Sequence, residues 1–182
     1  MLEFNKVLTI TAALKFVALA MCKDATRPNI NCVYVDDKNI VATDGRRLHM
    51  IPCNPDYMIP AGSYRIISNN AAGIIIDRIE DSAVGIFPNY KMVIPGGDGH
   101  VLGYKVCGRP NKLDKGALLG NVYSQILGAA APGYILNMEY LAQALVYLEG
   151  FNQITVKDTG TAPLLLTNVD TGARAVLMPI RS

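Results

Sequence analysis

Two pairs of side chains in this 182-residue chain have the residue types that acid–base or nucleophilic catalysis uses. Asp44 and His49 form a candidate acid–base pair, and Cys107 with His100 a candidate nucleophile and base. Asp44 is expected to serve its turn and His49 lies in a predicted strand, while nothing supplies an orienting residue or oxyanion donors for Cys107 and His100. No P-loop, GxGxxG, HExxH or GxSxG string occurs. The sequence therefore predicts no catalytic residues, and a small enzyme is only the third class of function to consider.

Metal or redox chemistry is also poorly supported. The chain has four cysteines without CxxC spacing and two histidines, so we expect no structural zinc, no cofactor and reduced thiols. No secretory signal is evident, and the apolar stretch 7–22 carries Lys15 and is too short to span a bilayer. These features predict a soluble, cytoplasmic protein without a membrane partner.

Overall composition favours a folded protein with a real core. The chain is 51% hydrophobic and 18% charged, and its formal net charge is +2. A charge this small does not by itself indicate nucleic-acid binding, which usually shows as a strongly basic patch. Binding would have to rest on a local group of basic residues.

The elements that would position these residues form a pattern that occurs twice. A helix is predicted from Thr9 or Thr11 to about Cys22, with a buried stripe of Leu14, Val17, Ala18 and Met21. Strands are predicted at 32–35, 40–43 and 46–51, joined by a turn at 36–39 and by Asp44-Gly45. A short strand at 2–8 precedes the helix.

The same order returns at the C-terminus. Asn137 is a good N-cap for a helix whose buried stripe would be Leu141, Ala144, Leu145 and Leu148, and which Gly150 would stop. Strands are expected at 153–157, 164–167 and 173–180, with turns at 158–160 and 170–172. The fold class is therefore α+β: two pseudo-symmetric helix-plus-three-strand units with antiparallel sheets and a middle insertion. We expect one domain over 1–182, with units at about 1–52 and 135–182 and the insertion at about 53–134.

The middle segment fits the repeat poorly, and we interpret it as an insertion, with the remnant of another domain as the alternative. Strands are predicted at 63–68 and 73–79, and the Gly- and Pro-rich stretch 85–103 is predicted as loop. Periodicity leaves strand and helix both open for 117–127. The stretch YKVCGRPNKLDKG, residues 104–116, is predicted as a solvated basic loop carrying Lys105, Arg109, Lys112 and Lys115.

Four strings occur in this order: VATDGRRL (41–48), FPNY (87–90), ILNMEYLAQALVYLEG (135–150) and VLMPIRS (176–182). Together they resemble the bacterial sliding clamp, the beta subunit of DNA polymerase III. In that family a strand ends in ATDGHRL, FPDY precedes a domain junction, and the chain closes on a MPMRL-like tail. Arg46 replaces the family's histidine, and Ser182 its last leucine. The chain looks like a short, single-domain-like or phage-like relative.

The resemblance implies a clamp-type domain and a hydrophobic cleft for partner peptides, such as those of a replication polymerase. Apolar side chains would hold an aromatic or aliphatic anchor, and arginines would meet a peptide carboxylate or carbonyl. The cleft residues implied are Thr43, Gly45, Arg46, Arg47, Leu48, Val176, Met178, Pro179, Ile180 and Arg181.

The resemblance also implies a homo-oligomeric ring around duplex DNA. A helix that faces phosphate should carry basic residues, and the first helix region offers Lys15, Lys23 and Arg27. The second helix, 137–149, contains no Lys or Arg. Two functions follow: a clamp-like processivity factor of DNA replication, or a clamp-fold regulator or structural interaction protein that does not encircle DNA.

Overall fold

The described part of the chain falls into two units. The computed structural model describes residues 10–55, 58–96, 99–106, 112–129, 135–146, 150–156 and 161–180. An N-terminal unit contains Lys6–Tyr90 and a C-terminal unit contains Lys91–Ser182. The boundaries of the expected single domain stay a prediction.

The N-terminal unit is a helix on a meandering antiparallel sheet. Its strands are hydrogen-bonded in the order β5-β4-β1-β2-β3, and each neighbouring pair is antiparallel. The elements are α1 (Ile10–Ala18), β1 (Val33–Val35), β2 (Asn39–Thr43), β3 (Arg47–Pro52), β4 (Gly62–Asn69), β5 (Ile74–Ile79) and the short α2 (Asp81–Val84). The five predicted strands between residues 32 and 79 are thereby confirmed.

Helix α1 is confirmed, but it ends at Ala18 rather than near Cys22. Leu14 and Val17 of the predicted stripe are buried, whereas Ala18 and Met21 are half-buried. The buried face is rotated towards Phe16, which is fully enclosed. Spacing alone could not reveal this, because neighbouring positions of this helix are apolar on almost every side.

The FPNY segment closes the N-terminal unit. The Phe87 ring stacks on Tyr34, with centroids 4.7 Å apart and planes 7° apart. The Tyr90 hydroxyl donates to Asp36 Oδ2 at 2.7 Å and accepts a hydrogen bond from Asn39 Nδ2 at 3.0 Å. Burial and this carboxylate raise the pKa of Tyr90. A 3₁₀ turn, Tyr90–Val93, follows.

The other oxygen of Asp36 orders the turn at 36–39. Asp36 Oδ1 accepts from the backbone amides of Lys38 and Asn39, which confirms the predicted turn.

The C-terminal unit has the strand order β9-β8-β7-β6, again antiparallel throughout. Its elements are β6 (His100–Val106), α3 (Lys112–Ala129), α4 (Met138–Val146), β7 (Gly150–Val156), β8 (Leu164–Asn168) and β9 (Arg174–Leu177). Asn137 caps α4 as predicted, since its Oδ1 accepts from the amides of Glu139 at 2.9 Å and Tyr140 at 3.3 Å. In the predicted α4 stripe, three residues are buried: Leu141, Ala144 and Leu145.

Several sequence predictions for this unit were wrong or too coarse. Residues 100–106, which include Lys105, are predicted as loop but belong to β6, while Lys112 and Lys115 lie in α3 rather than in a loop. The open segment 117–127 is helical. Gly150 begins β7, and the residues between Val146 and Gly150 fall outside the described ones, so the helix stop at Gly150 stays a prediction. Strand β9 is shorter than the predicted 173–180. Predictions for 2–8, Cys107, Arg109, Leu148, 158–160 and Ser182 fall outside the described residues.

The two units share one plan. Each has a helix followed by a three-strand meander, β1-β2-β3 after α1 and β7-β8-β9 after α4. In each, a fourth strand pairs with the first strand of the meander, β4 with β1 and β6 with β7. Three strands and α3, the longest described helix, come from the segment expected to be an insertion. The α+β class with antiparallel sheets is confirmed.

Candidate functional site

The Asp44-Gly45 turn in the N-terminal unit is ordered by its own side chains. Thr43 and Leu48 form the last ladder pair before it, and Gly45 has a φ of +89°. Asp44 Oδ1 accepts from the amides of Arg46 and Arg47 at 2.9 and 3.0 Å. The Thr43 hydroxyl donates to the Arg47 carbonyl at 2.6 Å and accepts from the Gly45 amide at 3.0 Å. The turn is therefore a preformed feature whose backbone amides are held by neighbouring side chains.

The two arginines of the turn have different environments. The Arg47 side chain is buried, and its Nε lies 3.0 Å from Asp44 Oδ2 in an ion pair. Arg46 is exposed. Of the two guanidinium groups, that of Arg46 is therefore the accessible one, since Arg47 is already engaged with Asp44. Leu48 belongs to the core at 2% exposure.

Arg27 lies against the same turn. Its Nη1 donates to the Asp44 carbonyl oxygen at 3.3 Å, and a Cβ on Gly45 would lie 3.3 Å from its Nη2. Asp24 orders the loop before it, because Asp24 Oδ1 accepts from the Thr26 amide at 2.9 Å and hydroxyl at 2.7 Å. The Thr26 hydroxyl, more than its amide, lowers the pKa of Asp24. No pattern in the sequence predicts the contact between Arg27, which is a predicted DNA-binding residue, and the Asp44-Gly45 turn, which is a predicted peptide-binding segment.

The other two residues assigned to DNA differ from Arg27. The Lys15 ammonium, on half-buried α1 surface, donates to the Asn70 carbonyl at 2.6 Å. Lys23 is exposed on the loop after α1. Their role in DNA binding stays a prediction.

The tail residues lie in the C-terminal unit. Val176 is buried at 1% exposure, Met178 and Pro179 are half-buried, and Ile180 is 50% exposed. The Ile180 amide donates to the Ile135 carbonyl at 2.8 Å, which ties the tail to the segment before α4. Accessible apolar surface therefore comes from residues 178–180. Arg181 falls outside the described residues.

Ile135 and Met138 are exposed apolar residues near the start of α4 that the sequence did not indicate as candidate site residues. Their side chains are 42% and 39% exposed, and Ile135 is joined to the tail by its backbone. Both are large and apolar, like the accessible tail residues. The one signal in the sequence was their place beside the N-cap of α4.

The Asp44–His49 pair does not assemble as an acid–base pair. His49 is fully buried, and its Nδ1 donates to the Phe16 carbonyl at 2.8 Å rather than facing Asp44. Burial lowers its pKa to about 4. His100 lies on β6, and Cys107 falls outside the described residues.

The described ranges offer no candidate metal site. Within them, no group of three or more His, Cys, Asp or Glu side chains could hold a metal ion. Cys22, Cys32 and Cys53 are free thiols. Of the helices in the same part of the chain, none combines the length and the apolarity needed to cross a bilayer.

Several solved structures of bacterial sliding clamps have the same fold. The beta sliding clamp of Caulobacter crescentus matches 95% of this chain with a TM-score of 0.63 and 17% identity. The sliding clamp of Pseudomonas aeruginosa matches 95% with a TM-score of 0.60 and 16% identity. The DNA polymerase III beta subunit of Thermotoga maritima matches 99% with a TM-score of 0.60 and 16% identity. The sliding-clamp-like fold expected from the sequence is confirmed.

The match covers only part of those proteins. The chain spans 63% of the Caulobacter clamp, 64% of the Pseudomonas clamp and 69% of the Thermotoga subunit. No protein-family model and no curated protein matches the sequence.

Proposed function

We propose that this chain is a non-enzymatic, sliding-clamp-like protein of DNA replication that binds short partner peptides. The observation that carries the proposal is the fold, shared over 95% of the chain with proteins named as sliding clamps. Two segments, each taken by itself, would contact partner peptides such as those of a replication polymerase: residues 43–48 of the N-terminal unit and residues 176–181 of the C-terminal unit. When the chain is oligomerised, it acts as a processivity factor.

The accessible chemistry of the two segments supports a peptide ligand. Met178, Pro179 and Ile180 offer apolar surface, and methionine adapts to different anchor shapes. Arg46 offers an exposed cation on a turn that is already ordered. A preformed site loses little conformational entropy when it binds, so a short peptide can bind with useful affinity.

Peptide titration tests this proposal. A fluorescein-labelled clamp-binding pentapeptide with leucine and phenylalanine anchors is titrated with the whole protein, and anisotropy is followed. We expect saturable binding that weakens about tenfold in Met178→Ala, because a buried anchor contact contributes roughly 1–2 kcal/mol. Met92→Ala is the matched control, since Met92 is 81% exposed and lies outside both segments. Absence of saturable binding to the wild type would overturn the proposal.

The second candidate is a clamp-fold regulator or structural protein that does not encircle DNA. Helix α4, with the sequence MEYLAQALV, has no basic residue and carries Glu139, and Lys15 is engaged with Asn70. Both features weaken attraction to phosphate.

Sedimentation and DNA titration separate these two functions. A closed homo-oligomer whose affinity for duplex DNA falls steeply with salt supports the processivity factor. A monomer or plain dimer that does not bind duplex DNA at low salt supports the regulator.

A further inference from the structure

Arg27 is linked to both ligands of the proposed function. It lies on a loop whose exposed basic residues, Lys23 and Arg27, are predicted to bind DNA phosphate. Its guanidinium contacts the Asp44-Gly45 turn, which is predicted to bind peptide. We propose that Arg27 is a positioning residue for the Asp44-Gly45 turn, and that a DNA phosphate competes with this turn for its guanidinium. The inference rests on the proposed function and deepens it, because it makes peptide affinity depend on DNA.

The loop geometry holds Arg27 in place from its own side. The Arg27 amide donates to the Asp24 carbonyl at 3.1 Å, and the Arg27 carbonyl accepts from Ile30 at 3.1 Å and Asn31 at 3.0 Å. Pro28, the next residue, has its own φ fixed by its ring. With its backbone bonded on both sides, Arg27 projects its side chain towards the turn.

The turn accepts Arg27 because residue 45 has no side chain. The guanidinium lies over the Gly45 backbone, at a point that a Cβ would approach to 3.3 Å. It donates to the carbonyl of Asp44, the residue whose carboxylate holds the amides of Arg46 and Arg47. Arg27 thus adds a long-range restraint to a turn that is otherwise ordered by contacts within residues 43–47.

The Arg27 contact is one that phosphate can displace. The distance of 3.3 Å to a neutral carbonyl is long, and Arg27 is exposed. A guanidinium has five N–H donors and binds phosphate bidentately and more strongly than it binds a carbonyl oxygen. A phosphate on Arg27 therefore draws it away from Asp44, and the turn loses its long-range restraint.

The test measures peptide affinity with and without DNA. The labelled pentapeptide is titrated against the whole protein, with and without a saturating duplex of about 24 bp, in wild type, Arg27→Ala, Arg27→Lys and Lys38→Ala. Lys38→Ala is the matched control, because Lys38 is an exposed cation of the same unit that lies outside the segments assigned to peptide and to DNA. We expect the duplex to weaken peptide binding about fivefold in wild type and Lys38→Ala, a typical coupling between two sites.

The two Arg27 variants distinguish positioning from charge. Arg27→Ala should bind peptide about fivefold more weakly without DNA and show no further effect of the duplex. Arg27→Lys should keep most of the DNA affinity and still lose peptide affinity, since an ammonium lacks the planar fork. Equal peptide affinity in wild type and Arg27→Ala would overturn the inference, and so would a duplex effect that survives in Arg27→Ala.

A readout without any ligand covers the case in which the wild type binds no peptide. Amide hydrogen exchange of Arg46 and Arg47 should be faster in Arg27→Ala than in wild type, while exchange in β7 should be unchanged. Unchanged exchange at Arg46 and Arg47 would overturn the positioning role on its own. Failure of peptide binding with altered exchange would reject the proposed function and leave the positioning role supported.

Discussion

The His49 imidazole stacks on the ring of Phe16, with centroids 4.4 Å apart and planes 11° apart, and its Nδ1 donates to the Phe16 carbonyl oxygen. Nδ1 must carry the proton, because a carbonyl can only accept. Nε2 is buried and has no hydrogen-bond partner among the described residues. This pair joins α1 to β3 and makes the N-terminal unit sensitive to acid.

Stability should fall as the pH drops from about 6.5 to about 4. The folded pKa of His49 is lowered to about 4 from 6.5, chiefly by burial, so the unfolded chain binds the proton first. The stabilisation is present above pH 6.5, and about 2 kcal/mol should be lost by about pH 5. Urea unfolding at about pH 7 and about pH 5 measures this. The variant His49→Phe has no imidazole to titrate, so its free energy of unfolding should fall less over the same pH range. An equal fall in both proteins would contradict the role of His49.

Gly45→Ala should destabilise the protein by about 1–2 kcal/mol. A φ of +89° is costly for any residue with a Cβ, and the added carbon would also displace Arg27. Gly73→Ala is the control, since an added Cβ there would have nothing within 4 Å and the φ of Gly73 is not in the left-handed region. Urea midpoints of the two variants should differ clearly, and equal midpoints would argue against a strained position 45.

Asn137→Ala should cost about 1 kcal/mol, because the amides of Glu139 and Tyr140 would lose their acceptor at the start of α4. Asn137→Asp keeps an acceptor and adds a favourable charge at the helix N-terminus, so it should be neutral or stabilising. Thermal unfolding of both variants checks the cap. If aspartate and alanine destabilise equally, the side chain does not act as a cap.

Tyr90→Phe should destabilise the N-terminal unit by about 1–3 kcal/mol. The change removes a hydroxyl that donates to the Asp36 carboxylate and accepts from Asn39. Tyr34→Phe removes a hydroxyl from the same cluster while keeping the ring that stacks on Phe87, so it should have little effect. Chemical unfolding measures the free energy of unfolding of both variants. A larger loss of stability in Tyr34→Phe would refute the importance of the Tyr90 hydroxyl bonds.

Local signals in the sequence predicted much of this fold. The Asn137 cap and the Asp44-Gly45 turn depend on residues near one another in the chain, so their chemistry is evident from the sequence. Helix α3 could not be decided, because its apolar residues are spread around the helix and interrupted by Gly116, Gly120 and Gly128. The sequence predicts a loop at β6 because the glycines beside His100 resemble turn residues, whereas pairing with β7 makes the segment a strand.

The candidate site was less predictable than the fold. The contacts of Arg27 with Asp44 and of His49 with Phe16 join residues that are distant in the chain. Nothing in their local sequence distinguishes a free arginine from one packed on a glycine. Burial of Leu48 and Val176 likewise depends on tertiary packing, so the sequence assigned them to an accessible pocket wall while the structure places them in the interior.

The two carboxylate oxygens of Asp36 act at different ranges along the chain. Oδ1 holds the amides of Lys38 and Asn39, whereas Oδ2 accepts from Tyr90. During folding, the first contacts can form within a nascent hairpin, but the second must wait until a long loop closes. Kinetic φ-values should therefore be high for changes in the turn and low for Tyr90→Phe, which would make closure by Tyr90 a late step that mainly slows unfolding.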